Sequence, residues 1–230
     1  MCGRFTLTSP ASKLVEFFSL LEPKIQLEPR YNIAPTQLVA CIRQTDGFRS
    51  LDLLRWGLLP AWARHISEGA KMINARSESV ATKPAFKSSF VSRRCLIPAD
   101  GFFEWKRKGT DKQPYLIRMK SAEPFAMAGL WERWHDPETG SDVESCTVLT
   151  TTPNPLVADI HDRMPVILDE EAQLEWLNPA TSAVQLESAL ESYSANLMEA
   201  VAVHRSVGNV RNDSPLCITP VQTQTQQELF

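Results

Sequence analysis

A cysteine stands at position 2, in the run Met1-Cys2-Gly3-Arg4-Phe5. Methionine aminopeptidases remove a starting Met when the next side chain is small, so the mature chain is expected to begin at Cys2. That residue then bears a free amine and a free thiol on adjacent carbons. Their ordinary pKa values, about 7.7–8.0 and about 8.5, leave both nucleophiles substantially available at neutral pH. Such a 1,2-aminothiol condenses with an aldehyde to an imine, and the thiol then closes a thiazolidine ring. An internal cysteine cannot do this, because its nitrogen is locked in a peptide bond. The plain alternative is an ordinary buried thiol.

Three further segments set reactive side chains among apolar ones. In Gly101-Phe102-Phe103-Glu104-Trp105 an acid sits among aromatics. Burial there raises a carboxyl pKa, which suits a general acid or base near neutrality. Otherwise Glu104 points to solvent while Phe103 and Trp105 share the buried face. In Asp159-Ile160-His161-Asp162-Arg163-Met164-Pro165 a histidine lies between acids that can orient its ring for proton transfer. In Met72-Ile73-Asn74-Ala75-Arg76 an amide and a guanidinium fall on one face of an extended chain, able to hold a reacting atom and a phosphate or carboxylate. The bland readings are a surface histidine, a turn asparagine and a surface arginine. His65, His135 and His204 lack comparable settings. No Gly-rich phosphate loop, GxSxG elbow, HExxH or EF-hand pattern is present. No metal or other cofactor is expected.

The elements that must position these groups can be read from periodicity. Ser9-Pro10 ahead of Leu14, Val15, Phe17, Phe18 and Leu21 predicts a capped amphipathic helix. Leu38–Ile42 and Phe48–Trp56 read as strands around the turn Thr45-Asp46-Gly47. Residues 57–72 look irregular, with a short helix near 78–90. Five more strands are expected at Arg94–Ala99, Phe102–Lys106, Tyr115–Met119, Phe125–Leu130 and Ser145–Thr151. Helices are predicted over Leu168–Leu177 and 181–191, and a last strand over Ala200–His204. Strands cluster centrally without βαβ alternation. The expected fold is therefore one α+β domain over residues 1–220, with a largely antiparallel sheet curled toward a barrel and flanked by helices. Residues 221–230, rich in glutamine, are expected to form a flexible tail.

The chain has 230 residues, 43% hydrophobic and 22% charged, with a net charge of −3. These values suit a soluble globular protein with a sizeable core. No apolar run is long enough for a transmembrane helix, and no secretory signal is visible. Five widely spaced cysteines without a CxxC pair argue against a disulfide framework or structural zinc and point to a reducing cytoplasm. Charge is uneven: residues 55–118 hold 13 Lys/Arg against 5 Asp/Glu, while 119–230 hold 5 against 17. A basic middle containing Trp56, Trp62 and Trp105 fits a single-strand nucleic-acid surface of cations and flat rings. Scattered charge that averages out on folding is the alternative.

Together with Tyr31-Asn32-Ile33-Ala34-Pro35, Trp56-Gly57-Leu58 and Gly208-Asn209-Val210, these segments resemble the SOS response-associated peptidase (SRAP) family, in order and across nearly the whole chain. The resemblance implies a protein that binds single-stranded DNA lacking a base and links Cys2 covalently to the ring-opened sugar. By the same resemblance Asn74, Glu104 and His161 are catalytic. Arg4, Arg76 and Arg163 match phosphate-binding positions, with Asn32 and Thr150 as neighbours. Pro35 and Trp62 match positions beside the flanking bases. Ala63 stands where the family pattern has a second Trp, and Lys83-Pro84 where it has an arginine. The expected partner is abasic single-stranded DNA, with no membrane. The protein is expected to be a cytoplasmic monomer, nucleoid-associated on DNA. An N-terminal-cysteine peptidase remains the alternative enzyme, and a non-covalent single-strand binding module the alternative outside catalysis.

Overall fold

Asp46 and Gly47 both take left-handed backbone angles (φ 51° and 82°). That geometry closes a two-residue turn whose twist matches the flanking strands. The hairpin so formed pairs in register from Thr45↔Phe48 to Leu38↔Arg55. The computed structural model describes residues 2–23 and 25–221. Met1 and the expected tail from residue 222 onward lie outside the described residues.

In chain order the strands are β1 (Phe5–Leu7), β2 (Arg30–Ile33), β3 (Leu38–Thr45), β4 (Phe48–Trp56), β5 (Asn74–Arg76), β6 (Arg94–Ala99) and β7 (Gly101–Lys108). They continue as β8 (Asp111–Met119), β9 (Phe125–His135), β10 (Asp142–Thr151), β11 (Met164–Pro165), β12 (Ile167–Leu168) and β13 (Met198–Ala202). The α-helices are α1 (Ala11–Phe18), α2 (Pro84–Ser92), α3 (Pro155–Ala158), α4 (Glu170–Leu177) and α5 (Ala183–Ser188). The expected α+β fold with a barrel-like curled sheet is found, and a second sheet stands beside the barrel. This second sheet is open, in the order β13-β8-β7-β1-β2. The other closes on itself: β3 pairs β4, β4 pairs β10, β10 pairs β9, β9 pairs β6, and β6 returns to β3.

Closure depends on a parallel contact, Ser145↔Arg55 and Cys146↔Trp56. β5 also joins β10 in parallel, with Val148 opposite Asn74 and Thr150 opposite Arg76. Nothing in local periodicity signals these pairs, because they join segments about 74 to 90 residues apart. The expected strand Arg94–Ala99 is found with those bounds, and its four later companions run three to five residues longer in all, at one or both ends. The three-residue strands β1 and β5 were too short to show a pattern. No described helix is long and apolar enough to cross a membrane.

The first helix begins differently from the expectation. Ser9 does not cap it: Pro10 occupies the cap position without a side-chain bond. The Ser9 hydroxyl instead donates to Asp100 (2.7 Å), whose other oxygen accepts from the backbone N–H groups of Thr8 (2.5 Å) and Ser9 (2.8 Å). A half-buried turn thus ties the end of β1 to the β6–β7 junction. Helix α4 lies against the barrel, where the Trp176 indole donates to Cys95 O at 3.0 Å. The main core fills the barrel and the space between the sheets, and Phe5 meets Trp56 edge-on there (5.2 Å between centroids). A smaller cluster of Phe103, Leu116, Val203, Val207 and Cys217 covers the outer face of the open sheet.

Two glycines bring the irregular segment 57–72 against the barrel. A Cβ on Gly57 (φ 127°) would lie 2.6 Å from Gly69 O, and one on Gly69 would lie 2.5 Å from Gly57 O. Beside this contact Leu58 N–H donates to Met72 O (3.1 Å), which delivers the chain into β5. Replacing Gly69 with Ala is expected to overpack this backbone contact and destabilise the protein by about 1–3 kcal/mol. Urea unfolding measures it; an unchanged midpoint would mean that the contact can relax freely.

Candidate active site

Strand β7 alternates its side chains between two buried faces. Phe102 faces the main core, and Phe103 belongs to the smaller outer cluster. Two-residue periodicity then puts Glu104 on the Phe102 side, where it is only 3% exposed. The solvent-facing alternative for Glu104 fails because both faces of this strand are covered. Burial lifts its pKa from the usual carboxylate value to about 7, and the negative charge of Asp162 acts in the same direction.

Cys2 precedes β1 and is fully buried in the same core. Its backbone is held by two elements. The Asn74 amide of β5 donates to Cys2 O at 2.9 Å, and two residues later Phe103 N–H of β7 donates to Arg4 O at 2.9 Å. Burial pushes the Cys2 thiol well above its usual range, and the charge of nearby Glu104 adds to that. Asn74 Oδ1 is buried and has no hydrogen-bond partner among the described residues. A buried carbonyl left so costs about 1–3 kcal/mol, so it is poised to accept a bond from an incoming donor.

His161 reaches the same place from the loop between α3 and β11. Its Nε2 lies 3.7 Å from Glu104 Oε2. That gap exceeds a hydrogen bond, so a substrate atom seated between the two could exchange protons with both. At Nδ1 two contacts make opposite demands: the Arg163 N–H donates at 3.1 Å, whereas Asp162 Oδ1 sits at 2.9 Å. The backbone N–H is fixed in direction, while the Asp162 carboxylate is 86% exposed and free to swing away. We therefore assign neutral His161 with its proton on Nε2, toward Glu104. Its pKa is lowered, first by burial, which favours that neutral form. Glu104 and His161 line a cavity of about 370 Å³ together with Trp105, Arg107, Lys112 and Gly208.

The cations differ in how far they are already engaged. Arg4 commits Nη1 to Asn32 Oδ1 (2.8 Å) and Val207 O (2.7 Å), and its guanidinium lies 5.8 Å from the Trp105 ring centre. Arg163 pairs with both oxygens of Glu78 and donates to Thr150 O (2.5 Å). Arg76 is exposed and, among the described residues, has no ion pair. Asn32 and Thr150 have no exposed surface. The Asn32 amide ties down the 207–212 loop through the carbonyls of Val207, Asn209 and Asn212. Both residues position neighbours; they present no surface to a ligand.

Pro35 and Trp62 come to one end of β4. The turn after Pro35 bonds there through Thr36 N–H to Trp56 O (2.8 Å), and Trp62 stands 59% exposed in the loop beyond. Trp56, expected to offer a flat surface, is fully buried, and its indole donates to Ile73 O (2.8 Å) next to Asn74. Its size and apolar neighbours fit the core equally well. Glu78, Arg107 and Lys112 escaped sequence reasoning because exposed charged residues carry no periodic signal.

The family model described as SOS response associated peptidase (SRAP) matches residues 1–210. The chain is 47% identical over 219 residues to the abasic site processing protein YoqW of Bacillus subtilis, covering 94% of this chain and 97% of that one. It is 33% identical over 228 residues to the abasic site processing protein YedK of Escherichia coli, covering 96% and 100%. A crystal structure of a protein from Bacteroides thetaiotaomicron superposes with a TM-score of 0.88 at 27% identity, over 96% of this chain and all of that one.

Burial of Glu104 has a measurable consequence for stability. Folding raises its pKa, so between about pH 4.5 and 7 the native state holds a proton that the unfolded chain has released. Stability should therefore fall as pH rises through that window, by up to roughly 3 kcal/mol. Glu104→Gln should lack this loss and gain on the native protein between pH 5 and pH 8 in urea unfolding. A constant difference between the two proteins across that range would contradict the raised pKa.

Proposed function

This chain belongs to the SOS response associated peptidase (SRAP) family, and we propose that it processes abasic sites in single-stranded DNA by bonding the lesion covalently to Cys2. The observation that carries the reading is the convergence of Cys2, Asn74, Glu104 and His161 from four separate segments. A structural thiol would need none of the other three.

The reading requires removal of Met1. An abasic deoxyribose is mostly a closed hemiacetal. Glu104, about half protonated at neutral pH, gives a proton to the ring oxygen as the C1′–O4′ bond breaks, and the C1′ hydroxyl loses its proton to leave an aldehyde. The Cys2 amine adds to C1′, and the carbinolamine loses water to an iminium. Cys2 Sγ then adds to C1′ as its proton departs. The balance is aldehyde plus amine plus thiol giving thiazolidine plus one water. The raised thiol pKa favours the amine as first nucleophile. Neutral His161 shuttles protons beside Glu104, and Asn74 holds the Cys2 backbone at its carbonyl. Arg4, Arg76 and Arg163 supply charge for phosphates, Trp62 and Pro35 flat or apolar contacts for bases, and Asn32 and Thr150 position that frame. A single strand exposes its sugar at far lower cost than a duplex.

The same four side chains would also suit acyl transfer by an N-terminal cysteine. The acid-poised Glu104 beside a thiol held protonated favours aldehyde chemistry, since acyl transfer needs the thiolate. Mixing the protein with an abasic single strand should give a heat-stable adduct whose mass equals protein without Met1 plus oligonucleotide minus one water. Cys2→Ala should abolish it, and Glu104→Gln should slow it on the order of 10²-fold or more. Full adduct yield from Cys2→Ala would refute the assignment, and Cys2-dependent turnover of unmodified peptides would favour the peptidase. Intact-mass spectrometry reads the first outcomes and a peptide panel the last.

A further inference from the structure

The β7–β8 hairpin leaves the catalytic cavity as a basic arm. Residues 105–113 carry Lys106, Arg107, Lys108 and Lys112 against Asp111 alone. Asp111 is already paired, to Arg205 at 2.7 Å. In the ladder Arg107 stands directly opposite Lys112. Like charges so placed repel and destabilise a two-stranded ribbon. Among the described residues neither has an acidic partner within salt-bridge distance. Both are exposed, and both line the cavity that holds Glu104 and His161. The field of Arg107 is felt at His161, which places that charge close to the reacting centre. On the lip opposite, a Cβ added to Gly208 would meet no atom within 4 Å, so the way in is open.

A cross-strand cation pair without an acid is a site awaiting an anion. Arg4 lies beside Trp105 at the root of the hairpin, whereas the other two arginines assigned to phosphates, Arg76 and Arg163, are fastened to β5, β10 and β11. They reach the centre from the Asn74 side, and the hairpin reaches it from the Glu104 side. A nucleic-acid strand whose sugar occupies the cavity must run on in both directions, with a phosphate on each.

We propose that Arg107 and Lys112 form a phosphate subsite that holds the strand on one flank of the lesion, with the β7–β8 hairpin as a track for that flank. The proposal rests on the reading that an abasic strand enters the cavity of Glu104 and His161. Two contacts to single-stranded phosphates would contribute a slope of about −1.4 to log affinity against log salt concentration. Because the contacts lie on one flank, they matter only when nucleotides are present there.

The test uses the whole protein and the double variant Arg107→Gln/Lys112→Gln, both exposed positions outside the reacting set. Fluorescence anisotropy measures binding of oligonucleotides carrying a stable tetrahydrofuran abasic analogue at the middle, the 5′ end or the 3′ end, from 50 to 300 mM NaCl. Adduct yield with a true abasic strand is followed in parallel. The expected result is a weakening of about tenfold for the central lesion near 150 mM NaCl and a slope shallower by about 1.4. With one of the two end-lesion strands the variant should match the wild type. An unchanged slope, or equal loss with both end-lesion strands, overturns the subsite. If the wild type forms no adduct at all, the covalent reading fails separately from the subsite, which the anisotropy still decides. Circular dichroism melting of the variant guards against misfolding, and Arg107→Lys alone, which retains the charge, should keep the wild-type slope.

Discussion

Insertion of β1 between β7 and β2 is the constraint on which the site depends. A three-residue strand has too few ladder bonds to hold itself, and this one is pinned from several sides. Phe5 pairs with both Ile33 and Phe102, and its ring is buried against Trp56. Beyond its end Asp100 gathers Thr8 and Ser9. Ahead of it Arg4 is bound to Asn32 and to the 207–212 loop. Only then does the position of Cys2 become defined to within the tolerance that the proposed covalent chemistry would demand. The Asn74 bond to Cys2 O adds a link from the barrel, so both sheets fix this one residue.

The same enclosure sets the electrostatics. Glu104 lies in the core by strand alternation, and the raised pKa follows from its lost hydration. The Cys2 thiol is pushed up by the same cause. A proton donor and an unionised thiol held by buried backbone, with cations at the rim, form a graded environment. Negative charge is drawn to the rim and neutral, proton-sharing chemistry is favoured inside. Arg163 shows how the rim is kept in order: its pairing with Glu78 and Thr150 O holds the guanidinium in one pose.

Much of the fold could be read from the chain because alternation and turn chemistry act locally. The Asp46-Gly47 hairpin and strand Arg94–Ala99 show this, as does the helix ending at Leu177. The division into two sheets could not be read. It is set by the parallel contacts of β10 with β4 and β5, which leave no local trace. At the site, Glu104 was visible as an acid among aromatics, but one face of alternation leaves its direction open. The second apolar cluster, Phe103 with Val203 and Val207, settles it from residues a hundred positions away. Trp56 misled because an aromatic in a basic stretch fits a stacking surface and a core alike. Asn32 did so because an amide suits a ligand contact as well as a tie to three backbone carbonyls.

The distance along the chain between β1 and β7 also has a meaning in time. Phe5 meets Phe102, so its partner is made about a hundred residues later. At ribosomal speeds that is an interval on the order of 5–20 s. Barrel closure through β10 comes later still, and pairings of such separation form slowly. Throughout the interval the residues ahead of Phe5 are uncovered in the nascent chain, and only afterwards does the core assemble around Cys2. Synthesis thus leaves a window in which that segment stands open to trimming before its partners in the fold exist.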